Sequence, residues 1–402
     1  MKLDARKHPD LQRLRNEGYD VKLVGTHLLV GSVPYVTAAK DVRFDGIWVS
    51  PLELAEDCTV PPKDHTAYFV GERPHHSDGT AMTKEDFIVD ETTKVLVEGV
   101  TVNFQFSYKH REGTELVPYK DYYDKMVHYV NLMLSHARSA HPNDPTIKAD
   151  VYPEIPSEDG DSPFVYEDTS ANRAGIEALS HKLELENLAI LGVGGTGSYI
   201  LDLVAKTRVK NIHLFDDDDF HQHNMYRSPG TIAKSTLKAN LKKVDHFRDV
   251  YSQMHMRIHA HPYRIDATNL DQLDRMNFVF LCLDSGELKD VIMRRLEDHK
   301  ISFIDVGMGV QLIGDTLQAM VRVTTSTEGH RAHIRDKDRV SFAPADGDNI
   351  YRRNIQVADL NALNAALAVI RWKKLYGYYG DLEKEHHSVY VSTLSTLSAE
   401  DA

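Results

Sequence analysis

Hydrophobic positions change their rhythm near residue 149. Before it they come as short β-like runs: Tyr19–Val24, His27–Val30, Tyr35–Thr37, Gly46–Val49, Ala67–Val70, Val95–Gly99 and Val102–Tyr108. A helical pattern over Pro9–Glu17 precedes them and stops at Gly18. A longer one, Tyr119–Ala140, follows, with Tyr122, Met126, Tyr129, Val130, Met133 and Leu134 at helical spacing. That stripe predicts core packing. Further on, strand-like and helix-like stretches alternate: Leu188–Leu191, Ser198–Lys206, Asn211–Phe215, Ser235–Tyr251, Phe278–Leu283, Leu288–His299 and Ile301–Asp305. Gln318–Thr324 predicts an antiparallel strand, Thr325–Arg353 a long polar crossover loop, and Asp359–Tyr376 a helix. Ser392–Ala402 reads as a strand that frays. The alternation predicts an α/β fold, Rossmann-like, with a mostly parallel sheet and helices on both faces. A smaller α+β N-terminal domain precedes it. The predicted boundaries are 1–149 for that domain, 150–169 for a linker marked by Pro153, Pro156, Asp159 and Gly160, and 170–402 for the α/β domain.

Composition narrows the function classes. The 402 residues are 42% hydrophobic and carry a net charge of −13, which argues against nonspecific binding to nucleic acid or to an anionic membrane. The first residues lack an apolar signal core, and no run approaches membrane-spanning length, so the expected compartment is the cytoplasm. With only Cys58 and Cys282, a disulfide framework and a four-cysteine structural zinc site are not expected.

The chemistry concentrates between residues 188 and 238. The strand Leu188–Leu191 runs into Gly192, Gly194, Gly195 and Gly197, then a helix, then a second strand that ends on Asp216. Strand, glycine-rich turn, helix, strand and acid is a nucleotide-binding unit. Glycines let the backbone turn tightly beside a phosphate, and the helix N-terminus offers free N–H groups. Alone, this pattern fits dehydrogenases and adenylating enzymes equally. Asp218, Asn224, Arg227 and Lys238 follow within one short segment.

That wider set resembles the ubiquitin-activating-type adenylation family, with its simpler ThiF- and MoeB-like members. The family pattern is an Asp, a second Asp two residues on, Asn and Arg three apart, then a Lys. Here it reads Asp216, Asp218, Asn224, Arg227 and Lys238. A Thr-Asp-Asn-like turn reads Cys282-Leu283-Asp284-Ser285, and an Asp-x-Gly strand end reads Asp305-Val306-Gly307. The likeness covers roughly residues 170–380. It implies ATP-dependent adenylation of the C-terminal carboxylate of a small ubiquitin-like or sulfur-carrier protein, with release of pyrophosphate. Asp216 would grip the ribose, Asn224, Arg227 and Lys238 the phosphates, and Asp284 a Mg²⁺ ion. Arg173 would reach the site of a partner subunit, since relatives work as homodimers. A downstream conjugation protein is a further implied partner; nucleic acid and membrane are not. The N-terminal domain resembles that of a bacterial group found in operons of ubiquitin-like modification systems.

Other residues read more plainly. Asp217 and Asp219 fit a solvated loop, Cys282 a small core position, and His386 and His387 a surface. His65, His75, His76, Asp64 and Asp78 fit a polar loop better than a metal cluster. The crossover loop holds no cysteine for a thioester. Three acceptors remain: an external nucleophile, a hydroxyl of Ser326 or Ser341, or Cys58, whose acidic neighbours rank it last. Competing functions are an NAD-dependent oxidoreductase on the same fold and a non-catalytic scaffold.

Overall fold

The computed structural model describes residues 7–401 apart from 92, 156, 158–159, 285 and 343–354. Ser285 and the end of the expected crossover loop therefore lie outside the described residues. The chain forms two compact units, Met1–Ile155 and Pro156–Ala402.

The first unit is built on a six-stranded, fully antiparallel sheet. Its order is Asp20–Val24, His27–Val36, Val42–Pro51, Thr66–Val70, Phe104–Ser107 and Ile88–Asp90. The two expected runs at His27 and Tyr35 are one strand. Helices Pro9–Asn16 and Tyr122–Ala140 pack on this sheet. Asp121 starts the longer helix by accepting from Asp124 N, three residues later than the apolar pattern suggested. Every residue of its predicted stripe is buried. Trp48 meets Phe69 and Phe106 edge-on at 4.9 and 5.0 Å. Lys125 is buried, donating to Ser50 Oγ and Asp64 O, and burial pushes its ammonium down to about 8.

The second unit carries an eight-stranded sheet: β1 (Asn187–Leu191), β2 (Asn211–Phe215), β3 (Ile258–His261), β4 (Phe278–Leu281), β5 (Ser302–Ile313), β6 (Thr316–Ser326), β7 (His387–Val391) and β8 (Thr396–Glu400). The order is β3-β2-β1-β4-β5-β6-β7-β8. The first five strands are parallel and the last three antiparallel. The principal helices are α1 (Gly195–Val204), α2 (Lys243–Tyr251), α3 (Gly286–Asp298) and α4 (Ala358–Leu375). Alternate strand residues point to opposite faces. Leu188, Ile190, Ile212, Leu214, Phe278 and Phe280 pack with α1, α2 and α4. Ala189, Leu191, Phe215, Val279 and Leu281 pack with α3 on the other face. Burial on both faces is why the parallel strands read as unbroken apolar runs.

Four expectations are corrected. The single helix over Ser235–Tyr251 is two, Lys234–Lys238 and α2, broken where Asn240 turns to φ +50°. The chain end forms a β7–β8 hairpin, not one fraying strand, with Ser395 at φ +51° in the turn. Thr325 and Ser326 are the buried end of β6 and not loop residues, and His333–Asp336 is a short helix. His386 is buried and not a surface residue: its Nδ1 lies 2.8 Å from Lys384 O, and burial followed by the Arg371 charge pushes the ring down to about 4.

Candidate active site

The order reverses around β1, with β2 on one side and β4 on the other, and at such a point the carboxyl ends of the strands leave a crevice. Gly192 closes β1 at φ +87°, donating its N–H to Phe215 O at 2.8 Å. The turn passes so near the end of β4 that a Cβ on Gly192 would stand 2.5 Å from Cys282 O. On Gly197 a Cβ would stand 1.9 Å from Gly192 O. These two glycines are required by close packing. Gly194, the residue before α1, differs: a Cβ there would meet nothing within 4 Å, and no side chain caps the helix. The N-terminus of α1 therefore keeps its uncapped N–H groups beside open space.

Asp216 follows β2 and ties the turn down. Its Oδ2 accepts from Val193 N and its Oδ1 from Asp218 N, both at 2.9 Å. Lys243, in the first turn of α2, stands 3.5 Å from Asp216 Oδ1 and 2.5 Å from Asp218 Oδ2. Burial raises the Asp216 carboxyl and Lys243 works against it. The hydrogen bond from Lys243 holds Asp218 below the usual carboxylate range. Lys243 was not among the residues picked out by the motif. Lys238 ends the preceding short helix, is exposed, and makes no ion pair with either acid. The break at Asn240 is what gives the pair to the later lysine.

Asn224 and Arg227 lie on the other side of Asp218 in sequence. Asn224 is buried and its Oδ1 accepts from His221 N, closing a capping box. Its Nδ2 finds no acceptor among the described residues, and neither does the buried Nε of Arg227. Burying a donor unpaired costs on the order of 1–3 kcal/mol, and these two lie three residues apart in one short segment. His223 senses the same cluster: burial lowers its ring first, then the charges of Arg227, His221 and Lys243.

The other expected residues sit on separate elements. Asp284 is exposed, beyond the end of β4. Cys282, next to it, is pushed up by burial, which suits its expected core role. Asp305 is fully buried on β5, paired with Lys289 Nζ at 2.9 Å and an Arg322 Nη at 2.5 Å. Arg173 lies exposed near the end of helix Thr169–Ala174. The carboxylates of Asp216, Asp217 and Asp218 offer oxygens within 4.8 Å of one another, but Lys243 is seated on two of them. Ser326 is fully buried, Ser341 exposed, and Cys58 exposed on the first unit. Two buried asparagines of α4, Asn361 and Asn364, were not anticipated; Asn361 reaches Thr196 and Arg227.

A mostly parallel sheet with a glycine turn, a helix N-terminus and an acid after the second strand is an arrangement shared by nucleotide-binding α/β units. More narrowly, residues 169–361 match the ThiF family. Residues 9–169 match a domain of unknown function, DUF6791. Ubiquitin-like modifier-activating enzyme 5 of Drosophila virilis is 25% identical over 175 residues, 39% of each chain. Its Caenorhabditis elegans counterpart is 20% identical over 160 residues, 36% of this chain and 37% of that one. The chain thus spans about two fifths of the length of the curated relatives it matches. Among solved structures, the microcin C7 biosynthetic enzyme MccB in complex with N-formylated MccA is 16% identical with a TM-score of 0.45, over 58% of this chain and 70% of that one. No helix among the described residues is long and apolar enough to cross a membrane.

Proposed function

We propose that the second unit adenylates the C-terminal carboxylate of a small ubiquitin-like or sulfur-carrier protein. A carboxylate oxygen bonds to the α-phosphorus of ATP, the α–β anhydride bond breaks, and pyrophosphate leaves with that electron pair. The observation that carries this reading is the pair of buried, unpaired donors on Asn224 and Arg227 beside an uncapped helix N-terminus. Such donors suit phosphate oxygens, and fixed donors aimed at developing charge are the main contribution a protein makes to phosphoryl chemistry. An apolar ligand would leave them unpaired.

Each part then has a task. Gly192 and Gly197 shape the turn, and Gly195 lets α4 approach. Gly194 leaves room for the nucleotide. Asp216 fixes the turn and offers its remaining lone pairs to ribose hydroxyls. Asn224 and Arg227 hold phosphate, and Lys243 is better placed than Lys238 to join them from the Asp216–Asp218 pair. Asp284, an exposed carboxylate at the mouth of the crevice, has the hard oxygen donors that Mg²⁺ takes. Bound there, the ion would neutralise phosphate oxygens. Arg173 would act across a homodimer. Ser326 is fully buried, which leaves an external nucleophile, the Ser341 hydroxyl or Cys58 to take the adenylate, and the external one fits a downstream conjugation protein.

Calorimetric titration with ATP and Mg²⁺ tests this, beside an Arg227→Ala variant and a titration with NAD. The wild type should bind ATP, and the variant should bind it roughly 10- to 100-fold more weakly at unchanged melting temperature, as expected for a lost charged donor. Binding of NAD in place of ATP, or ATP affinity indifferent to Arg227, would overturn the assignment.

A further inference from the structure

We infer that Asn361 is a positioning residue that sets Arg227 against the glycine turn. This rests on the function proposed above. Asn361 lies in the first turn of α4 and is 1% exposed. A buried amide needs partners, and the two it has come from separate segments of the chain. Its Oδ1 accepts from Thr196 Oγ1 at 3.0 Å, on the first turn of α1. Its Nδ2 donates to the backbone oxygen of Arg227 at 3.2 Å. One planar amide therefore fixes the spacing between the helix N-terminus and the segment that carries the arginine.

The approach is close enough to dictate a neighbour. A Cβ on Gly195 would stand 2.3 Å from Asn361 Nδ2, so this third glycine is there for the asparagine. Arg227 has few other restraints. Its N–H donates to Asn224 O at 3.1 Å, at the end of a four-residue helix, and no regular element follows until Lys234. Its side-chain Nε has no partner among the described residues. A guanidinium attached to a loop is useful only if its backbone is held, because an error of about 1 Å removes most of the benefit of orientation. Asn361 supplies that hold from a separate element.

The experiment uses the full chain and reads ATP–Mg²⁺ affinity by calorimetry for wild type, Asn361→Leu, Arg227→Ala and the double variant. Asn361→Leu alone should weaken ATP about 10-fold, the cost of one lost hydrogen bond to a buried carbonyl. In the Arg227→Ala background it should weaken ATP less than about 2-fold further, because there is no guanidinium left to place. Effects that multiply in the double variant would overturn the inference and make Asn361 a packing residue. Should Asn361→Leu not fold, Asn361→Asp answers instead. Protonated, an aspartic acid can both accept from Thr196 and donate to Arg227 O; ionised, it cannot donate. Its ATP affinity relative to wild type should recover as pH falls from 8 to 6, and a ratio independent of pH would overturn the inference. Failure of the wild type itself to bind ATP would sink the proposed function, and this inference with it, before any variant is compared.

Discussion

Two buried carboxylates of the second unit, Asp305 and Asp216, look alike in sequence and do different things. Asp305 is closed off by two cations: Lys289 at 2.9 Å and Arg322 at 2.5 Å, with Arg322 also bonding Thr324 Oγ1. Asp216 shares one lysine with Asp218, and nearby in the chain Asn224 and Arg227 carry donors that are unpaired among the described residues. Low dielectric makes a completed charge network rigid and an incomplete one costly. The lesson is that burial and charge alone do not mark a functional acid. Asp216 differs in what it holds: its carboxylate ties down the glycine turn through Val193 N, whereas Asp305 is engaged by side-chain cations.

The sharpest way to break the comparison is Asp305→Ala. It would leave Lys289 and Arg322 without their counterion, at a cost of about 3–5 kcal/mol of folding stability. Urea denaturation should show this as a large drop in midpoint. Should Asp305→Ala denature like the wild type but fail to bind ATP, Asp305 belongs to the site and the contrast is wrong.

A smaller effect comes from the two adjacent histidines at the start of β7. His386 and His387 are both pushed down to about 4, by burial first and then by Arg371 for one and Arg339 for the other. The unfolded chain binds these protons near the ordinary 6.5, whereas the folded chain resists them until about 4. Protons therefore favour the unfolded state between those values, and stability should fall as pH is lowered from 6.5 to 4. His386→Gln should flatten that slope by on the order of 1 kcal/mol, after allowing for screening at partly solvated rings. Melting temperatures of both proteins across the window give the answer, and parallel curves would mean that His386 does not titrate on unfolding.

How much of this was legible in the chain follows from the kind of contact involved. The parallel strands and the glycine turn were legible because both are local: doubly buried strands are continuous apolar runs, and a close turn needs glycine at fixed offsets. Strand β3 was missed because His259 and His261 stand where apolar residues would have signalled it. Asn361 was invisible because its partners Thr196 and Arg227 are 165 and 134 residues away, and an asparagine in a leucine- and alanine-rich helix carries no local sign of them. Asp216, Asn224 and Arg227 were picked out together, yet the unpaired donors that give them meaning appear only when burial is known.

The lysine is the closest test of that limit. The family pattern nominates Lys238, and geometry nominates Lys243, five positions on and across a helix break that contains neither glycine nor proline. Asn240 makes the break by adopting the left-handed conformation, which asparagine tolerates better than most residues, so nothing in the apolar pattern announces it. Lys238→Ala removes an exposed charge. It should change stability by less than about 0.5 kcal/mol and ATP affinity by less than about 2-fold. Calorimetry on this variant separates the two readings: a loss of about 10-fold or more would mean that the short helix Lys234–Lys238 closes on the nucleotide, and that the ion pairs of Lys243 belong with Asp305 among the supports.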